Sequence, residues 1–239
     1  APLHHHMGCS VFATYATLSR RSLVRIDADI PLVEAALFGC AVLTGVGAVV
    51  NTAQVRAGAS VAVVGLGGVG LAALIGAAAA GARQIVAVDM SEAKLEQAKA
   101  LGATHTVNAA GADAKDRVRA LSNGGVEYAF EFAGAIRALE LAYGVTRRGG
   151  MTVTAGLPPS SATVSINAVS LVAEERTLKG SYIGSCVPSR DIPRFIALYR
   201  QGRLPVDKLL SGRLALDQIN QGFDLLREGK AVRQVVVFA

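Results

Sequence analysis

Residues 61–70 read Val-Ala-Val-Val-Gly-Leu-Gly-Gly-Val-Gly, and residues 86–89 read Val-Ala-Val-Asp. The β-branched apolar run before the first glycine is typical of a buried parallel strand. Gly65, Gly67 and Gly70 follow at G-x-G-x-x-G spacing, and the alanine-rich segment after them carries no charge up to Ala82. The order of strand, glycine turn, helix, strand and acid predicts a dinucleotide-binding βαβ unit.

Each glycine of this turn has a physical role in such a unit. Gly65 permits the tight turn, Gly67 lets backbone amides approach a pyrophosphate at the helix N-terminus, and Gly70 lets the helix sit close on the strand. Asp89 ends the second strand, where a carboxylate accepts hydrogen bonds from both ribose hydroxyls and repels a 2′-phosphate, so NAD is favoured over NADP. A chance match in a chain with 26 glycines and a methyltransferase are the competing interpretations.

Composition excludes several classes of protein. The chain has 239 residues, of which 51% are hydrophobic and 18% charged, as in globular proteins with one large or two unequal domains. The net charge of +6 is scattered without a basic helix stripe, so we expect a solvated surface and no nucleic acid. The uncharged stretch at 60–82 contains four glycines between residues 65 and 70, and we therefore expect no membrane span. Three cysteines without a C-x-x-C pair favour a reducing, cytoplasmic location.

Alternating strand and helix patterns continue to about residue 155 and predict an α/β fold with a doubly wound parallel (Rossmann) sheet. We expect strands at 84–88, 104–107, 126–132, 152–155, 162–166 and 177–182, and helices at 91–101, 113–121, 136–145, 191–200 and 216–228. Both ends of the chain predict a second unit, with strands at 11–17, 23–26 and 232–238 and a long apolar helix that Pro31 opens. His105 is expected on an interior strand.

Ordered motifs along nearly the whole chain resemble the zinc-type medium-chain alcohol dehydrogenases. They are His-His-Met-Gly-Cys-Ser-x-Phe at 5–12, Gly-Cys-x-x-x-Thr-Gly at 39–45, the glycine turn, Asp89 with Lys94, Gly-Leu-Pro-Pro at 156–159, Ile-Asn-Gln-Gly-Phe-Asp-Leu-Leu-Arg at 219–227 and Ala-Val-Arg at 231–233. The resemblance implies a Rossmann domain at 42–184, a C-terminal remnant of the GroES-like catalytic domain at 1–41 and a return to that domain at 185–239.

The resemblance also implies roles for individual residues. Cys40 matches a ligand of the catalytic zinc, Thr44 lines the nicotinamide site, Val69 backs the nicotinamide ring, and Ala155, Ser181 and Ile183 match positions that present backbone groups to the carboxamide. Lys94 matches a lysine at the adenosine ribose, and Arg233 an arginine that pairs with pyrophosphate. The predicted cofactor-binding set is therefore Gly65, Gly67, Gly68, Val69, Gly70, Asp89, Lys94, Ala155, Ser181, Ile183 and Arg233. Cys9 and Cys186 match no ligand.

Departures from the family pattern limit what this chain can do. Relative to a full-length member, roughly the first third is absent, and with it the other catalytic zinc ligands, the proton relay and the lobe that holds a structural zinc. One thiolate cannot hold a catalytic metal, and the four histidines provide no second ligand at a family position. His4, His5 and His6 fall beside the family's substrate pocket. We expect the missing part to leave exposed apolar surface at 38–43.

The resemblance thus implies an oxidoreductase whose parent enzyme interconverts an alcohol and its aldehyde or ketone, with NAD as cofactor and zinc in the complete protein, whereas this chain is an incomplete, inactive form. The expected partners are a small alcohol or aldehyde and a second copy of the chain, as a homodimer or dimer-based tetramer paired through the strand at 177–182. Two alternatives stay open: a zinc-independent quinone or enoyl reductase that uses NADPH, and a non-catalytic NAD-binding module.

Overall fold

A computed structural model describes residues 11–238 of the chain. Its centre is a six-stranded, fully parallel sheet with the strand order β3-β2-β1-β4-β5-β6. The strands are β1 Ser60–Val64, β2 Gln84–Asp89, β3 His105–Asn108, β4 Val126–Glu131, β5 Thr146–Thr154 and β6 Thr177–Gly180. This order reverses direction between β1 and β4, which is the topology of the doubly wound Rossmann fold. The predicted fold class is confirmed.

Helices cover both faces of this sheet. They are α1 Leu32–Thr52, α2 Gly68–Ala79, α3 Glu92–Ala100, α4 Ala114–Leu121, α5 Ile136–Val145, α6 Ala168–Ala173, α7 Pro188–Arg200 and α8 Ile219–Arg227. One apolar core includes α1, α2 and α7, and a second includes α4 and α5. Every residue of β1 is buried because the sheet is covered on both sides, which explains its unbroken run of apolar residues. A small parallel sheet of β7 Gly212–Leu214 and β8 Gln234–Val236 follows near the C-terminus.

The helix α1 is long and apolar enough to meet the length and composition criterion for a membrane span, and among the described residues it is the one helix that does so. Its most apolar window is 56% buried within the protein. The 60–82 segment is divided into β1, the glycine turn and α2. Helix α1 contains two π-helical stretches, Phe38–Val42 and Ala48–Thr52, and the predicted domain boundary after residue 41 lies inside it.

Three predicted strands are wrong. The segments 11–17, 23–26 and 162–166 lack strand structure. Their composition suits a strand, but a strand also needs a neighbour to complete its hydrogen-bond ladder, and the described chain supplies none to these segments. The predicted closing strand is shorter than expected, because only Gln234–Val236 pair with β7.

Three smaller expectations also need correction. His105 lies on β3, which is an edge strand and not an interior one. Ser91 occupies the N-cap position of α3 without a capping hydrogen bond from its side chain. The segment 38–43 is not an exposed apolar surface, since only Gly39 and Cys40 are exposed while Phe38 and Leu43 are 1% and 2% exposed. Large exposed apolar side chains lie elsewhere, for example Tyr15 and Leu32.

Candidate functional site

The glycine turn that follows β1 is closely packed at both ends. Gly65 has φ +90°, in the left-handed region, and a Cβ there would lie 2.7 Å from the backbone nitrogen of Ala133. A Cβ on Gly70 would overlap the carbonyl oxygen of Gly65. These contacts agree with the local geometry predicted for the two glycines, namely a tight turn at Gly65 and close packing of the helix on the strand at Gly70.

The middle of the same turn is open. Gly67 is the N-cap of α2, and a Cβ placed on it would meet no heavy atom within 4 Å. Free backbone N–H groups at the start of a helix, together with the helix dipole, favour a negative charge at this point. The turn therefore has room for an anionic group directly in front of α2.

Arg233 lies against the opening of α2, although it is distant in sequence. A Cβ on Gly68 would collide with its guanidinium, and the Nε atom of Arg233 is buried without a hydrogen-bond partner among the described residues. A buried donor without a partner is costly in a folded protein. An anion beside Gly68 would satisfy it, so this arrangement fits the pyrophosphate of a dinucleotide.

Asp89 faces the glycine turn. Its Oδ2 atom accepts a hydrogen bond from the backbone N–H of Leu66 at 2.7 Å, and Oδ1 accepts one from the N–H of Ser91 at 3.0 Å. A cavity of about 350 Å³ beside it is lined by Asp89, Met90, Ser91, Lys94 and residues 227–229. Asp89 and Lys94 thus share one cavity, as a common ribose site requires. The sequence did not indicate that residues 227–229 would line this cavity, because no local pattern connects the end of α8 with β2.

Thr44 and Val69 come from two helices that touch. A Cβ on Gly45 would overlap the carbonyl oxygen of Val69 and lie 2.6 Å from the nitrogen of Ala73, so α1 can pack directly on α2 only where it carries a glycine. Thr44 and Val69 are both half-buried at this crossing. The motif Thr-Gly therefore combines a polar side chain with the small residue that brings it close to the start of α2.

Ala155 and Ser181 follow the carboxyl ends of β5 and β6, and Ile183 lies in a short 3₁₀ turn, Ile183–Ser185. The N–H of Ala155 donates to the carbonyl of Glu131 at 3.0 Å, and that of Ser181 to Thr154 at 2.9 Å. Because both N–H groups are already used, a ligand at Ala155 or Ser181 would be bound by the backbone carbonyl group. All three residues lie at the carboxyl edge of the sheet, where doubly wound folds bind ligands.

Cys40 is an exposed free thiol in the first π-helical stretch of α1. A cavity of about 320 Å³ is lined by Cys40 together with Phe12, Ala41, Arg233 and Phe238. Within residues 11–238 no group of three or more His, Cys, Asp or Glu side chains could hold a metal ion. The described donor set therefore does not fit a catalytic zinc, which needs about three protein ligands. The histidines at 4–6 and Cys9 lie outside the described residues.

Two buried acids near this edge escaped the sequence analysis. Glu131, which is 2% exposed, accepts hydrogen bonds from the N–H of Gly134 and the hydroxyl of Thr154, each at 2.6 Å. Asp191, fully buried at the start of α7, accepts one from the N–H of Val187 at 2.8 Å. Glu131 receives its bonds from the loop after β4 and from β5, and Asp191 receives this bond from the residue before α7, so neither acid belongs to one of the sequence motifs.

Comparison with known proteins shows the family to which the chain belongs. The family model described as zinc-binding dehydrogenase matches residues 68–201. The chain is 36% identical to an alcohol dehydrogenase class-3 of Cereibacter sphaeroides, over 99% of this chain but 65% of that protein. It therefore spans a little under two thirds of the length of this curated relative.

Two crystal structures are similar over nearly the whole chain. An alcohol dehydrogenase zinc-binding domain protein from Burkholderia ambifaria superposes with a TM-score of 0.94 at 33% identity, covering 97% of this chain and 62% of that one. Benzyl alcohol dehydrogenase from Acinetobacter calcoaceticus superposes with a TM-score of 0.94 at 34% identity, covering 97% and 64%. The predicted resemblance is confirmed, and the chain belongs to the zinc-binding dehydrogenase family of zinc-type, medium-chain alcohol dehydrogenases.

Proposed function

We propose that the protein is an oxidoreductase of the alcohol dehydrogenase type, which interconverts an alcohol and its aldehyde or ketone with NAD as cofactor. The observation that carries the proposal is the buried, unpartnered Nε of Arg233 beside Gly68 at the N-terminus of α2. This pair of features provides one cation and a row of backbone donors for a diphosphate.

The choice of NAD over NADP rests on Asp89. Its carboxylate is held in place by the N–H groups of Leu66 and Ser91 and lines the same cavity as Lys94. A carboxylate in that position accepts hydrogen bonds from ribose hydroxyls and repels a 2′-phosphate. The negative charge of Asp89 is therefore the feature that selects the cofactor.

The remaining residues of the site orient the cofactor. Bound NAD would supply a hydride acceptor for the substrate alcohol, while the residues of the chain supply position and electrostatics. Thr44 and Val69, at the crossing of α1 and α2, are assigned to the nicotinamide ring. The backbone at Ala155, Ser181 and Ile183 is assigned to the carboxamide. Holding the carboxamide determines which face of the nicotinamide ring points to the substrate.

Cys40 is the one described residue that we assign to zinc binding. Its exposed thiol lies in the same cavity as Arg233 and is assigned as one ligand of the complete enzyme. Because residues 11–238 offer no set of three donors, the other ligands belong to parts of the protein outside this range.

The proposed substrate is a small alcohol or aldehyde, and the proposed assembly is a homodimer or a tetramer built from such dimers. Strand β6 supports this assembly, because it is an edge of the six-stranded sheet and a second copy could pair with it. The proposed location is the cytoplasm, where Cys40 and Cys186, both free, would stay reduced.

Calorimetry with NADH and NADPH on the 239-residue chain, together with NAD-dependent alcohol oxidation by the full-length protein, tests the proposal. We expect NADH to bind at least about tenfold more tightly than NADPH, and alcohol oxidation only in the full-length protein. Absence of NADH binding would refute the dinucleotide site. A preference for NADPH would indicate a zinc-independent quinone or enoyl reductase.

A non-catalytic NAD-binding module is the second candidate, and it is favoured because the described residues contain no group of three zinc donors. It shares the same binding prediction, so binding does not separate the two. Alcohol turnover and one catalytic zinc per full-length subunit would support the enzyme. NADH binding without either would support the module.

A further inference from the structure

The turn Ile183–Ser185 has an unusual backbone. Three consecutive residues have positive φ, at +49° for Ile183, +65° for Gly184 and +52° for Ser185. Glycine adopts this region freely, but a β-branched residue such as Ile183 is strained there. Such a conformation persists where surrounding contacts impose it, and it is common at ligand clamps.

Helix α1 supplies contacts that impose this conformation. The hydroxyl of Thr52 hydrogen-bonds the hydroxyl of Ser181, two residues before the turn, at 2.8 Å and that of Ser185, its last residue, at 2.9 Å, so its bonds lie on both sides of Ile183 and Gly184. Gly47 and Gly184 are in direct backbone contact, and a Cβ on either would collide with the other segment. The turn is therefore pressed against α1 and tied to it at two points.

Cys186 makes a third tie. Its thiol donates to the carbonyl oxygen of Leu43 at 3.3 Å and accepts a hydrogen bond from the side-chain amide of Asn51, also at 3.3 Å. Burial and then the negative charge of Asp191 raise the pKa of Cys186 to about 11. The group is therefore a protonated donor at neutral pH. The carbonyl that it contacts belongs to the peptide bond between Leu43 and Thr44.

Asp191, at the start of α7, is the last member of this hydrogen-bonded group. One N–H of the Asn51 amide donates to its Oδ2 at 3.4 Å, while Asn51 also reaches the sulfur of Cys186. Arg190 pairs with the carboxylate, with Nε at 3.0 Å from Oδ1 and Nη2 at 2.7 Å from Oδ2. The buried carboxylate thus fixes Asn51, Asn51 orients the thiol, and the thiol connects the turn to the peptide of Thr44.

We propose that Cys186 is a positioning residue for the nicotinamide end of the cofactor: its thiol holds the strained Ile183 turn against the Leu43–Thr44 peptide, so that the two groups assigned to the carboxamide and the ring keep a fixed separation. This inference rests on the proposed function. It adds a role for a cysteine that matches no zinc ligand, and for Thr52, Asn51 and Asp191 behind it. None of these four side chains is assigned to the adenosine half of the site.

The test compares NADH with ADP-ribose, which has the adenosine and pyrophosphate but lacks nicotinamide. Calorimetry on the 239-residue chain should show Cys186→Ala binding NADH about tenfold more weakly, since one hydrogen bond is lost and the Leu43 carbonyl is left without it. ADP-ribose affinity should change less than about twofold on the same basis. Cys186→Ser keeps a donor and should stay within about threefold of the unmodified chain for both ligands.

Two further variants separate positioning from general stability. Thr52→Val removes the hydroxyl ties without touching Cys186 and should show the same NADH-selective loss, which keeps the idea testable if Cys186→Ala does not fold. Ser170→Ala loses a 2.6 Å hydrogen bond to Tyr143 at a distant place and should change neither affinity. Equal loss of both ligands in Cys186→Ala, no loss at all, or a Cys186→Ser as weak as Cys186→Ala would overturn the proposal. If the unmodified chain binds neither ligand, the proposed function itself fails.

Discussion

The carboxylate of Asp89 accepts a hydrogen bond from the backbone N–H of Leu66, with 2.7 Å between Oδ2 and nitrogen. Leu66 lies within the glycine turn after β1, whereas Asp89 ends β2, so this bond fixes the acid relative to the turn. A side chain that both shapes the turn and lines the adjoining cavity connects the fold directly with the proposed choice of cofactor.

Asp89→Asn should lower the preference for NADH over NADPH by at least about tenfold, because the amide keeps an acceptor for Leu66 but no longer repels a 2′-phosphate. Asp89→Gly should relax the preference further and also lower the free energy of unfolding by about 1 kcal/mol. Calorimetry with both cofactors and thermal unfolding measure the two effects. The exposed Asp116→Asn serves as control, and an unchanged cofactor ratio in both Asp89 variants would contradict the assignment.

Gly67→Ala and Gly70→Ala should separate binding from folding. Alanine at Gly70 would overlap the carbonyl of Gly65, and we expect a loss of about 3 kcal/mol in the free energy of unfolding. Alanine at Gly67 meets open space, so stability should change by less than about 1 kcal/mol. NADH affinity of Gly67→Ala should fall at least about tenfold, because the methyl group occupies the space in front of α2. Urea unfolding and calorimetry give both values, and normal NADH binding by Gly67→Ala would place the pyrophosphate elsewhere.

Arg233→Leu should weaken NADH and ADP-ribose alike, by about 30-fold, since a charge-assisted hydrogen bond to pyrophosphate is lost. The dependence of affinity on salt concentration should also decrease. Arg213→Leu removes an exposed cation from β7 and should leave both affinities unchanged. A selective loss of NADH with normal ADP-ribose binding would move Arg233 to the nicotinamide half of the site.

Cys40 should react with a maleimide at pH 8 well before Cys186. Cys40 is exposed, whereas the pKa of Cys186 is raised to about 11 by burial, so almost none of it is thiolate at that pH. Because the pKa of Cys186 is higher in the folded state than the ordinary value of 9.0, its contribution to stability is complete below pH 9 and is lost as the pH rises towards 11. Peptide mapping by mass spectrometry measures the labelling. Faster labelling of Cys186 in the folded chain would contradict its half-buried, donating state.

The local pattern predicted most of the sheet and its helices. The helix α5 has the predicted bounds, and β2, α4 and β4 differ from them by one residue at most. Each of these elements is encoded by contiguous residues whose apolar period and turn signals are local. The strands predicted at 11–17, 23–26 and 162–166 are wrong because strand formation is not decided locally. A segment with a strand-like sequence becomes a strand only when another strand is available to pair with it.

The sequence by itself determined the βαβ unit of residues 60–89, because strand, glycine turn, helix and acid are consecutive there and each is specified by its own neighbours. Only the tertiary structure decided that His105 lies at an edge, that Arg233 reaches Gly68, and that Cys186 contacts the carbonyl of Leu43. Those relations join residues far apart in the chain. They depend on the spatial order of the strands in the sheet and on close glycine contacts between segments. No single stretch of sequence specifies either of these.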